Sequence, residues 1–153
     1  MTKILFVCLG NICRSPMAEF IMKDLAGDRL EIASAATGYD EIINGVGNPV
    51  YPPAAAELKK HGISCAGKRA EKLLRHHYDQ YDLIIGMDNN NIRNMLGIFG
   101  GDPEGKVKRM MDFTNRGGEV ADPWFTRKFD VTYRDVHDGC VGLLRYLEEN
   151  GLI

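Results

Sequence analysis

The run Lys3-Ile4-Leu5-Phe6-Val7-Cys8 constrains the fold more than any other stretch of the chain. It is short, apolar on both faces and rich in β-branched and aromatic side chains. That pattern reads as a strand buried on two sides, as in a parallel sheet. The run leads into Leu9-Gly10-Asn11-Ile12-Cys13-Arg14, and Ser15-Pro16 then opens an amphipathic stretch. Ser is a preferred N-cap, Pro is favoured at the first helical position, and Glu19 biases the early helix electrostatically. The spacing predicts strand, tight loop and helix N-terminus, with a cysteine entering the loop and an arginine leaving it.

Such a loop is suited to an anion. Residues curled between a strand end and a helix start can aim several backbone N–H groups inward, and the helix end adds partial positive charge. Gly10 supplies free dihedrals, and Asn11 is among the few side chains that tolerate a left-handed backbone. Arg14 offers a planar fork for two phosphate oxygens. The same field favours the thiolate of Cys8, which would face a bound phosphoryl group as a nucleophile already in place. A bare Cys-x5-Arg spacing also arises by chance around buried cysteines. The preceding strand, the helix start and the Gly-Asn pair separate this one from that background.

The 153 residues suit one domain, Met1 to Ile153, burying roughly two-thirds of its unfolded surface. A net charge of −2 gives no electrostatic case for nucleic acid or an anionic membrane. No apolar run approaches the ~20 residues of a transmembrane helix, and the N-terminal run is interrupted too early for a secretory signal. A cytoplasmic protein is the expectation. Cys8, Cys13, Cys65 and Cys140 show no zinc-ligand spacing with the histidines, so they read as thiols, with neither metal nor cofactor expected.

Further along, Met17, Phe20, Ile21 and Leu25 recur at helical spacing up to Gly27. Leu30 to Ala35 suggests a second strand, and Gly38 to Pro53 a long surface loop. Ala54 to His61 reads as a helix, Lys72 to Tyr81 as a polar helical turn, and Tyr81 to Met87 as an interior strand. Asn90 to Ile98 follows as a helix, Lys106 to Met111 as a fourth strand, and Phe113 to Phe129 as irregular chain. Asp130 to Asn150 closes as a helix with Val131 or Thr132, Val136, Cys140, Leu143, Leu144 and Leu147 on one stripe. Alternating strands and helices imply an α/β three-layer sandwich around a four-stranded parallel sheet, whose ligand site lies at the carboxyl ends of the strands, where Cys8 sits.

Val7-Cys8-Leu9-Gly10-Asn11-Ile12-Cys13-Arg14-Ser15-Pro16 resembles the signature of the low-molecular-weight protein tyrosine phosphatases. The likeness continues through Ser34-Ala35-Ala36-Thr37, Gly47-Asn48-Pro49, His61-Gly62-Ile63, Tyr81 to Ile85, Met87-Asp88 and Asp122-Pro123-Trp124. It implies hydrolysis of phosphotyrosine in proteins, and of aryl phosphates, through a phosphocysteine on Cys8. Arg14 would bind phosphate, and Asp122 would be the general acid and base that protonates the leaving phenolate. The loop residues Leu9, Gly10, Asn11, Ile12, Cys13 and Ser15 would surround the phosphate, while Trp124, Phe125 and Tyr39 are candidates for aromatic walls. Ser15 and Ser34 match positions whose hydroxyls support loop and thiolate. Asp88 matches a partner of Arg14, or else a helix N-cap.

Implied partners are phosphotyrosine proteins, with phosphate or other oxyanions as inhibitors, for a monomer or weak homodimer. Cys13 is placed to close a reversible disulfide with oxidised Cys8.

One departure concerns a Gly-His-x-Ala-Arg run that members often carry. Here it reads Gly67-Lys68-Arg69-Ala70-Glu71, so a histidine that usually supports the loop is replaced by Lys68. Among rivals, a thiol-dependent arsenate reductase needs two further cysteines in a region where this chain has none between Cys65 and Cys140. A protein arginine phosphatase would carry Thr at Ile12. A non-catalytic anion-binding module would need neither thiolate nor acid.

Overall fold

The computed structural model describes residues Met1–Ile153. In chain order the elements are β1 (Lys3–Cys8), α1 (Arg14–Ala26), β2 (Glu31–Ala36), β3 (Ile42–Ile43), β4 (Val46–Gly47), α2 (Pro52–Lys60), α3 (His77–Gln80), β5 (Leu83–Gly86), α4 (Asn89–Phe99), β6 (Val107–Arg109), α5 (Pro123–Thr126) and α6 (Phe129–Glu149), with 3-10 turns at Gly27–Arg29 and Met110–Phe113. Strands β2, β1, β5 and β6 lie in that order in one parallel sheet, so β1 is interior, and β3 and β4 form a separate antiparallel hairpin.

The apolar run of β1 is buried because both faces of the sheet are covered. Strand side chains alternate, so Ile4, Phe6 and Cys8 point into a core shared with Met17, Ile21 and Met22 of α1 and Val136, Cys140, Leu143 and Leu147 of α6. Leu5 and Val7 point the other way, into a smaller core with Ile84 of β5, Tyr78 of α3, and Met95 and Phe99 of α4. Each fully buried aliphatic or aromatic side chain of this kind contributes about 1.5–3 kcal/mol. Truncating Phe6 to Ala would cost about 3–5 kcal/mol, because a two-sided core cannot collapse into the gap.

Helix α6 approaches the 3-10 turn so closely that a Cβ at Gly142 would lie 1.9 Å from the carbonyl oxygen of Phe113. Glycine there is a requirement of packing.

Three expectations are corrected. Ser15 does not cap α1: the helix begins at Arg14, and Cys13 stands at the cap position without a side-chain bond. The Ser15 hydroxyl is used by Cys8 and Asn11 instead. The stretch Gly38 to Pro53 is not simply a loop, since it holds the β3–β4 hairpin turning on Asn44-Gly45. Both turn residues have positive φ (53° and 77°), the pair a type I′ hairpin turn demands. The region Phe113 to Phe129 contains the helical turn α5, started by an Asp122 side chain that accepts the Trp124 N–H. Helices α2, α4 and α6 and strands β2, β5 and β6 fall on the expected stretches, with ends that differ by a few residues.

Candidate active site

Strand β1 ends at Cys8, and the next residues curl into a closed loop before α1. The loop is tied down through its carbonyls. Thr37 N–H donates to Cys8 O (3.0 Å), Gly38 N–H to Leu9 O (3.0 Å), Tyr51 N–H to Ile12 O (2.8 Å) and Met17 N–H to Cys13 O (3.1 Å). With the carbonyls held outward, the N–H groups of Leu9, Gly10, Ile12 and Cys13 donate to no protein acceptor, and the Asn11 N–H points at Cys8 Sγ (3.3 Å). This is a nest of inward donors beside a helix N-terminus, able to surround an oxyanion.

Asn11 takes the left-handed backbone expected of it (φ 59°). Gly10 does not use its freedom in that way. A Cβ there would stand 3.2 Å from Glu41 Cγ, so that side chain would have to shift slightly to admit one.

Behind the loop, Ser15 Oγ lies 2.9 Å from Cys8 Sγ, and the Asn11 amide donates to Ser15 Oγ (2.7 Å) and Ser34 Oγ (2.9 Å). Ser34 Oγ donates in turn to the buried Glu19 carboxylate at 2.6 Å. The Ser15 hydroxyl thus stands beside the thiol, and Ser15 is not among the residues lining the cavity.

The cavity over Cys8 is about 290 Å³ and is lined by every residue from Cys8 to Arg14, together with Asp122, Trp124 and Phe125. Asp40 and Glu41, which sequence reasoning missed, form the remaining wall. Tyr39 does not line it. That side chain is 68% exposed with the Lys72 ammonium over its ring, because the chain turns inward only one residue later.

Arg14 is almost wholly buried. Its Nη1 donates to Asp88 Oδ2 (2.7 Å) and Val120 O (2.9 Å), and its Nη2 lies 3.5 Å from Asp122 Oδ2. Burial works against the guanidinium charge, but Cys8, the hydrogen bond to Asp88 and the Asp122 charge outweigh it, holding Arg14 above an ordinary arginine. Asp88 fills both roles considered for it, because its other oxygen accepts the Asn91 N–H (2.7 Å) and caps α4.

Asp122 Oδ1 accepts the Trp124 N–H at 3.0 Å, leaving Oδ2 towards the cavity side and Arg14. The segment bearing it is anchored to the sheet where Val120 N–H donates to Met87 O (2.9 Å). Trp124 packs on Tyr51 (centroids 4.9 Å apart), whose hydroxyl accepts from Arg127 at 2.9 Å. Tyr51 therefore braces both the loop and the tryptophan wall. No local signal marks it, since it only precedes two prolines. Phe125, 79% exposed, forms the outer lip. Burial, then Cys8 and Asp122, push the Cys13 thiol up to about 12, so of the two loop cysteines only Cys8 has donors arranged for a thiolate.

Fold and site together define a class: an α/β protein with an oxyanion cradle built around a cysteine, closed by a buried arginine and a carboxylate. Comparison with known proteins agrees. The family model described as low molecular weight phosphotyrosine protein phosphatase matches residues 3–152. The protein-tyrosine-phosphatase YfkJ of Bacillus subtilis is 35% identical, with 97% of both chains covered, and PtpA of Staphylococcus aureus is 34% identical over 96% of this chain and 94% of that one. The crystal structure of YfkJ superposes with a TM-score of 0.91 at 34% identity, covering 98% of this chain and 96% of that one. The phosphatase SP-PTP from Streptococcus pyogenes gives 0.86 at 37%, covering 96% and 93%. The chain belongs to the low molecular weight phosphotyrosine protein phosphatase family, whose members are hydrolases.

Proposed function

We propose that the chain hydrolyses phosphotyrosine in proteins by two in-line phosphoryl transfers at Cys8. The N–H cradle and Arg14 hold the three non-bridging oxygens, and the Cys8 thiolate attacks phosphorus as the bond to the phenolic oxygen breaks. Asp122 gives its proton to that oxygen. The Asp122 carboxylate then takes a proton from water, whose oxygen attacks phosphorus, breaks the S–P bond and releases phosphate with Cys8 again a thiolate. The observation that carries this reading is one cavity holding Cys8, Arg14 and Asp122, with Ser15 Oγ 2.9 Å from the sulfur.

Depth and lining support the substrate class. Phosphoserine is too short to bring its phosphorus within attack distance, about 3–3.5 Å, of a sulfur at the floor of the cavity. A tyrosine ring reaches, and it buries apolar surface against Trp124 and Ile12 at about 25 cal/mol per Å². Phosphoarginine also reaches. Its guanidinium would face Ile12 and lose hydrogen bonds to water at a cost of ~1–3 kcal/mol. The reaction needs no metal and needs a reduced Cys8, which the cytoplasm maintains. Phosphate and similar oxyanions would compete for the cradle. The proposed unit is one domain, Met1 to Ile153, acting as a monomer or weak homodimer.

Three measurements test the reading. Asp122→Asn should lower kcat by ~10²–10⁴ for phenyl phosphates and by much less for leaving groups of low pKa. A loss independent of the leaving group would make Asp122 structural, and turnover retained in Cys8→Ser would end the mechanism. Phosphotyrosine peptides should exceed phosphoarginine peptides at least ~10-fold in kcat/KM, and Ile12→Thr should narrow that gap. A wild-type preference for phosphoarginine would overturn the substrate.

A further inference from the structure

We propose that Lys68 is a positioning residue for the Cys8 thiolate, acting through a buried ion pair and a chain of hydrogen bonds. The inference rests on Cys8 being the nucleophile.

The direction of each proton in that chain follows from geometry. Glu71 N–H donates to Asn11 Oδ1 (3.0 Å), which turns the two amide N–H donors of Asn11 towards Ser34 Oγ and Ser15 Oγ. Each hydroxyl therefore accepts from Asn11 and has a single proton to give. That of Ser34 goes to Glu19 Oε1 at 2.6 Å, and, with Cys8 as the thiolate nucleophile, that of Ser15 goes to Cys8 Sγ at 2.9 Å. The run has an anion at each end, a carboxylate and a thiolate.

Glu19 Oε1 accepts the Ser34 proton, and the Glu19 side chain is 6% exposed. A buried carboxylate needs a cation or hydrogen bonds to compensate its lost hydration. A Glu19 deprived of its inner cation would hold the Ser34 hydroxyl less firmly and loosen Asn11.

Two cations face Glu19. Lys23, on α1 itself, bonds Oε2 at 2.6 Å from a side chain 43% exposed. Lys68 is 9% exposed, lies 3.5 Å from Oε1, the oxygen that Ser34 uses, and donates to Ser34 O at 3.0 Å. It neutralises the outer anion from inside the protein and pins the strand residue carrying the relay hydroxyl. Lys68 bonds Ser34 O and Glu19, and none of the groups around the thiolate itself, Arg14, Cys13 and Asp122.

The test uses the full chain, an aryl phosphate and iodoacetate. Lys68→Met should lower kcat roughly tenfold with little change in KM, the effect of one weakened hydrogen bond to the reacting charge. The pH profile of Cys8 alkylation should move upward, and Lys68→Arg should restore both. Ser34→Ala removes the hydroxyl in between, so adding Lys68→Met to it should cost little more. Unchanged kcat and alkylation in folded Lys68→Met, or a loss fully additive with Ser34→Ala, would overturn the proposal. Should Lys68→Met fail to fold, Lys68→Gln keeps a donor for Ser34 O without the charge and carries the same expectations. Alkylation requires no turnover. A wild type inert to phosphate esters would therefore sink the proposed function while this test still reads Lys68.

Discussion

Among the cysteines, position in the fold outweighs chemical identity. Cys8 Sγ accepts the Asn11 N–H and lies 2.9 Å from the Ser15 hydroxyl, whereas burial pushes Cys13 up to about 12 and raises Cys140 as well. Iodoacetate at neutral pH should therefore modify Cys8, spare Cys13 and Cys140, and be slowed at Cys8 by phosphate. Peptide mapping by mass spectrometry reads this, and equal labelling of Cys13 would refute the burial argument. The same shift bears on oxidation. Capture of a Cys8 sulfenic acid needs the Cys13 thiolate, which becomes more abundant as pH rises towards its raised pKa. Disulfide yield after mild peroxide should accordingly increase from neutral to alkaline pH. A yield independent of pH would mean that loop opening, and not ionisation, limits closure.

At the scale of elements, the turn entering β6 depends on one carboxylate. Asp102 accepts from Tyr78 Oη (2.6 Å) and from the N–H groups of Lys106 (2.8 Å) and Val107 (3.2 Å). Burial opposes its ionisation, but these bonds prevail and hold the carboxyl below the usual range. A folded-state pKa below the unfolded one stabilises above the unfolded value, ~3.9, and is lost as pH falls through the folded value. Asp102→Asn should cost about 1–3 kcal/mol near neutral pH. Its Tm deficit should shrink as pH falls below ~4, and a deficit constant from pH 3 to 7 would mean that charge is not involved.

The whole molecule carries a net charge of −2, yet its charges are unevenly placed at the cavity, where Asp40, Glu41 and Asp122 face Arg14 alone among the cations. Peptides with Lys or Arg beside phosphotyrosine should exceed those with Glu by ~2–5-fold in kcat/KM, the size of exposed charge pairs. The preference should fade with salt and in Asp40→Asn/Glu41→Gln, and persistence in that variant would place the selectivity elsewhere. Anion binding should also stabilise the fold. Phosphate at ~100 times its Kd adds about 2.7 kcal/mol, and a chain of this size gains roughly 2–4 °C per kcal/mol. Tm should rise by roughly 5–10 °C with phosphate and much less with chloride at equal ionic strength. Equal shifts would indicate screening.

Much of this was legible from the chain because it is local. The two-sided apolar run of β1, the 3.6-residue stripe of α6 and the Cys8-to-Arg14 loop each carry their own steric and periodic instructions. Even the missed hairpin was announced by Asn44-Gly45. What the chain could not announce are contacts between distant segments. Tyr51 behind Trp124, Val120 on Arg14, Asp40 and Glu41 on the cavity wall, and Tyr39 turned out of it follow from how the loops pack over the sheet ends. Lys68 shows the division within one residue. By sequence it is a lost histidine, and only the tertiary structure sets its ammonium 3.5 Å from a carboxylate that α1 buries. Backbone preference and periodicity act within a few residues, whereas a buried charge is decided by whichever part of the chain folds against it.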